Sequence, residues 1–115
     1  ATGTHQHHLG IRHRLRGVRS AEVRQRQAVE DARQLEARIY DGRKRLDRLD
    51  RDIRNNQPTK EKPATDESDK QNRRREQERR ELVDHLRRLE RQLDDARLWL
   101  DQNDLHMQRL RRNIY

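Results

Sequence analysis

The chain has 115 residues, of which 28% are hydrophobic and 43% charged, and it contains no Phe. That is too little apolar material for a compact globular core, where closer to half the residues are apolar, so the open choices are disorder or long helices that bury one narrow stripe. Its 29 basic and 21 acidic residues leave a net charge of +8, with both signs interleaved as on solvated helix faces.

Residues 1–19 come first as a basic N-terminal arm or helix extension. They hold Arg12, Arg14, Arg16 and Arg19 and no acid, with Ile11, Leu15 and Val18 on one helical face. Two readings stay open: a mitochondrial targeting segment, or the basic start of the first helix. A chain beginning at Ala1 looks like one that has lost its initiator Met, so a targeting segment here would be uncleaved. The expected location is intracellular, mitochondrial on the first reading and cytoplasmic on the second. His5, His7, His8 and His13 cluster here without the spacing of a structural zinc site, so a polar tail is expected and no metal.

The first helix is expected over 20–55, with Ser20 as a good N-cap type. A 3–4 alternation runs Ile11, Arg14, Val18, Ala21, Gln25, Ala28, Ala32, Leu35, Ile39, Gly42, Leu46, Leu49, Ile53, and ten of these thirteen are apolar. The alternation stays in phase across Asp41-Gly42, which favours an unbroken helix over a turn there.

Residues 56–68 form a polar linker, broken by Pro58 and Pro63. Ser68 and Gln71 have the spacing of a capping box, which predicts a second helix over 69–113. Its stripe runs Asn72, Arg75, Arg79, Leu82, Leu86, Leu89, Leu93, Ala96, Leu100, Asn103, Met107, Leu110, Ile114, with nine of thirteen apolar. An apolar repeat of about 3.5 residues sustained this long signals a supercoiled seam. Acid-to-Arg pairs four residues apart (Glu22–Arg26, Asp41–Arg45, Asp47–Arg51, Asp50–Arg54, Glu76–Arg80, Asp84–Arg88) are expected to support the helices locally.

Two helices of matched length joined by one short loop fold back most simply as an antiparallel pair. The predicted fold is therefore all-α: an antiparallel coiled-coil hairpin with a basic N-terminal arm. Of the possible registers, the preferred one makes facing residue numbers add to 128, setting Gly42 against Leu86, Ala32 against Ala96 and Gln25 against Asn103. The alternative total of 135 leaves Gln25 facing Leu110 and Asn103 facing Ala32. Burying an amide without a partner costs roughly 1–3 kcal/mol, and Gln25 with Asn103 would form a polar layer of the kind that sets register.

No catalytic constellation and no glycine-rich phosphate loop appear, so an enzyme is not expected and no cofactor is implied. A single His85 and a single His106 on the second helix read as surface residues. Without cysteine the chain has no disulfide or thiol chemistry, and no apolar run approaches the ~18 residues of a membrane span.

Two features suggest binding. The arginines of the first stretch join Arg109, Arg111 and Arg112 near the C-terminus in a basic pole at the open end. Such a pole suits nucleic acid, anionic lipid or an acidic protein surface. Leu98 and Leu105, at the outward f position, with Trp99 alongside, form an apolar patch that the seam cannot bury. Trp is a favoured interface anchor. The expected function is a non-enzymatic structural or accessory subunit of a larger protein assembly; the alternative is a nucleic-acid-binding module that uses the open-end arginines.

Overall fold

The computed structural model describes the backbone of residues 2–114 and the side chains of residues 16–112. It is an all-α helical hairpin, with α1 over Thr2–Asn55 and α2 over Asp66–Ile114 packed against each other in antiparallel sense. No strand, cis peptide or positive φ occurs among the described residues. The helix α1 takes in the N-terminal stretch from Thr2 and passes through Gly42 without a break. Contacts divide the chain into two units, Ala1–Gln34 with Leu93–Tyr115, and Leu35–Gln92.

In the unit of residues 35–92, Gly42 faces Leu86: a Cβ built on the glycine would lie 2.5 Å from Leu86 Cδ2. Nearer the loop, the Asn72 amide donates to the Asn56 carbonyl at 3.0 Å. Both pairs have residue numbers that add to 128. The core of this unit is Leu49, Leu82 and Leu86 with Leu46 and Ile53 packed on it; Ile39 and Leu89 are also buried. Two arginines occupy seam positions on α2, and their heads are held at the edge. Arg79 Nε donates to Asp50 Oδ1 at 2.6 Å, and Arg75 donates to Asn72 Oδ1 at 2.9 Å. Their aliphatic stems are what a seam tolerates at such positions.

The expected ladder of local acid–Arg pairs is not formed among the described residues. The charges bridge between helices instead: Arg43 to Glu90 at 2.9 Å and Arg45 to Glu78 at 3.0 Å. In heptad lettering these are e–e and g–g pairs, the flanking positions that meet in an antiparallel coil. Both pairs are well exposed, and such bridges are typically worth 0.2–1 kcal/mol each, by order of magnitude about the same as a local pair. Their greater effect is on which register is adopted.

The start of α2 differs from the expected one for a clear reason. Ser68 sits inside the first turn, and Thr65 caps it. Thr65 Oγ1 accepts from the Ser68 N–H at 3.0 Å, while Ser68 Oγ accepts from the Thr65 N–H at 2.8 Å. This is a reciprocal capping box with Ser in the place usually held by Glu or Gln. Asp66, Glu67 and Asp69 fill the first turn, where carboxylates meet the positive end of the helix dipole. At the end of α1, two side-chain amides take the last carbonyls: Asn56 Nδ2 donates to Asp52 O at 2.7 Å and Gln57 Nε2 to Ile53 O at 2.9 Å. Side chains do here what a left-handed glycine does at many helix ends.

In the other unit, Ala21, Ala32, Leu93 and Met107 are buried, together with the polar Asn103. Arg111 reaches Glu22 at 3.0 Å across the e–e flank, the relation seen between Arg43 and Glu90.

Candidate functional site

The candidate surface is built by the heptad phase of α2. Its seam residues Leu93, Asn103 and Met107 are buried, with Ala96 and Leu100 half-buried. Positions turned away from the seam must then face solvent. Leu98 and Leu105, both at f, are 57% and 50% exposed, and Trp99, at g, is 40% exposed. The two leucines lie seven residues apart, about 10 Å along the axis at 1.5 Å per residue.

Carboxylates gather along this patch about Leu98, and the exposed Arg109 lies beside Leu105 at its C-terminal end. On the helical wheel the f stripe has b on one side and c on the other; Asp94 and Asp101 occupy b, and Asp95 occupies c. Asp104 follows at e. All four are exposed, and none has a hydrogen-bond or ion-pair partner among the described residues. Residues 94–105 therefore carry four acids and a single base, Arg97, in a chain whose net charge is +8. Sequence reading picked out the apolar residues and passed over this rim, although the spacing of Asp94 and Asp101 about the f positions is the signal that reveals it.

The basic residues are arranged less simply. Arg16, Arg19, Arg109 and Arg112 are exposed, whereas Arg111 is engaged by Glu22. The side chains of Arg12 and Arg14 lie outside the described residues, as do those of the histidines from His5 to His13. His85 and His106 are exposed, and no group of three metal-ligating side chains occurs among the described residues.

The two amides of the expected polar layer share no hydrogen bond. Asn103 is buried and turns along its own helix, its Nδ2 lying 3.5 Å from Met107 Sδ. Gln25 is half-buried and lines a shallow groove with Glu22, Val29, Arg33, Met107 and Arg111. A thioether one turn away, on the same face, offers Asn103 a weak acceptor without help from α1.

Two further apolar side chains are exposed on α1, Val23 and Tyr40. Lys44 Nζ lies 4.4 Å from the centre of the Tyr40 ring, a local cation–π contact that already occupies that face. Among the described residues no helix is long and apolar enough to cross a membrane. A second open groove, lined by Asp47, Asp50, Ile53, Glu76, Arg79 and Arg80, mixes both charge signs and holds the Asp50–Arg79 pair. Chemically, the surface offers apolar anchoring and charge recognition. No known protein family, curated protein or solved structure matches the chain.

Proposed function

We propose that the chain is a non-enzymatic structural or accessory coiled-coil subunit of a larger protein assembly, docked through Leu98, Trp99 and Leu105. One observation carries the reading: three large apolar side chains stand exposed together on a chain that has few to spare. Apolar surface left in water costs roughly 25 cal/mol per Å² relative to burial, and aromatic anchors flanked by leucines are where interface energy concentrates.

The seam supports the same conclusion. Small residues fill several of its layers, Ala21, Ala32 and Gly42 among them, and helix pairs with so thin a core are marginal on their own. Several acids and arginines that flank the seam pair across it, as in Arg43–Glu90 and Glu22–Arg111, which fits a scaffold better than a reaction centre. An intracellular location, in mitochondria or cytoplasm, is part of this proposal.

The test is a thermal melt of the purified chain with light scattering. The reading predicts a broad, low transition; a monomer that melts sharply far above the growth temperature of its source contradicts it.

A second reading has an observation of its own. Arg16, Arg19, Arg109 and Arg112 are exposed and unneutralised by neighbours among the described residues, which suits contact with nucleic-acid phosphates or anionic lipid headgroups. Binding of that kind weakens steeply with salt; affinity for duplex nucleic acid that is absent at low salt removes it.

A further inference from the structure

We infer that the partner seated on Leu98, Trp99 and Leu105 presents a cationic amphipathic helix, with an apolar stripe of about two turns edged by Lys or Arg. The inference rests on the docking reading above and names the chemistry of what docks. Its basis is charge complementarity around an apolar centre.

The wheel positions give the geometry. Leu98 and Leu105 run along one line of α2, with Asp94 and Asp101 to one side and Asp95 to the other. Leu98 thus has three carboxylates three or four residues away, Asp94, Asp95 and Asp101, while Leu105 shares Asp101 and has Arg109 at its C-terminal edge, so the acidic rim is concentrated about Leu98. Side chains at that spacing are neighbours on a helix surface. A straight stripe of this length matches the periodicity of a docked helix, whose own apolar residues recur every three or four positions. A β-strand would need an open sheet edge, and none exists among the described residues.

The carboxylates select the sign of the partner. Asp94, Asp95, Asp101 and Asp104 have no partner among the described residues, so each can accept from an incoming cation. An anionic helix or an anionic lipid surface would bring like charges together at this rim and be repelled by it. Electrostatics over the whole molecule point the other way, because a chain of net charge +8 repels cations at long range. A preference for a cationic helix would therefore come from the local rim.

Trp99 is the only tryptophan, so its emission reports on this surface directly. The probes are two synthetic 18-residue helical peptides with the same leucine stripe, one with lysine and one with glutamate on the polar positions, each titrated into the full chain. The inference predicts that the lysine peptide blue-shifts Trp99 and binds at least tenfold more tightly than the glutamate peptide. It further predicts that the variant Asp94→Lys with Asp101→Lys, confirmed helical by circular dichroism, reverses that preference. Equal binding of the two peptides, or tighter binding of the glutamate peptide, overturns the cationic partner while leaving an apolar docking site. No shift with either peptide also overturns it, and the docking reading is then judged separately by the melt of the isolated chain. A blue shift that grows with protein concentration alone, with a dimer in sedimentation, assigns the surface to a second copy and overturns the inference as well.

Discussion

A Cβ added to Gly42 would sit 2.5 Å from Cδ2 of Leu86, inside any ordinary contact distance. The glycine is there because a leucine on the facing helix takes the space of its missing side chain. In an exposed helix interior, Gly→Ala gains about 1 kcal/mol. At this position the gain is set against overpacking, which costs about 1–3 kcal/mol. Gly42→Ala is thus expected to be neutral or destabilising in the wild-type chain. In a Leu86→Ala background the same change is expected to stabilise by about 1 kcal/mol. Denaturant melts of the four proteins measure the coupling, and additive effects would show that the two residues do not meet.

Gly17 is the control. A Cβ there meets nothing within 4 Å. Gly17→Ala should stabilise the chain by about 0.5–1 kcal/mol through the helix alone, and a melt that moves down instead would mean α1 is not helical at that point.

The capping box gives a sharper local test. Thr65→Ala removes the acceptor for the Ser68 N–H and should cost about 0.5–2 kcal/mol. Ser68→Ala removes the reciprocal half. Because each hydroxyl serves the other's backbone, the double variant should cost less than the two singles together, and strict additivity would argue against a shared motif.

These cases show how legible the molecule was. The 3–4 alternation located the buried stripe of α2, Leu82, Leu86, Leu89 and Leu93, because a seam repeat leaves a period that survives any amount of surface charge. It also located the outward positions of Leu98 and Leu105 by the same phase. The cap was harder to place, since Thr65 and Ser68 are three apart and either hydroxyl could serve; the Ser68–Gln71 spacing favoured the wrong one. The ion pairs were misassigned for a related reason. A sequence shows neighbours four residues apart, whereas e and g side chains are also within reach of the facing helix, which only folding supplies. Asn103 turning to Met107 rather than Gln25 is a rotamer choice, and no spacing encodes it.

The e–e pair Arg43–Glu90 offers a test of facing residues by charge. Glu90→Arg alone should place two guanidinium groups together and cost about 0.2–1 kcal/mol at low salt. Combining it with Arg43→Glu should restore stability, and added salt should shrink both effects. Failure of the swap to restore it would mean the pair does not form in solution.

Register within the unit of residues 1–34 and 93–115 can be read by cross-linking. Ala32→Cys with Ala96→Cys should oxidise readily within the chain, because the total of 128 brings the two positions to the ~4.4–6.8 Å between Cα atoms that a disulfide spans. Ala32→Cys with Asn103→Cys should not. Closure of the second pair in place of the first would shift the register, and cross-links only between chains would remove the hairpin.

The central claim is that this chain belongs to an assembly and enters it through the outward face of α2. The direct measurement is the mass of the complex that contains the tagged chain in its native source, compared for wild type, Leu98→Asp with Leu105→Asp, and Val23→Asp. Val23 serves as the control because it is an equally exposed apolar residue at the f position of α1. The account predicts one stoichiometric complex for wild type and for Val23→Asp, and free, still helical chain for the double variant. The same complex in all three proteins, or no complex in any, would contradict it.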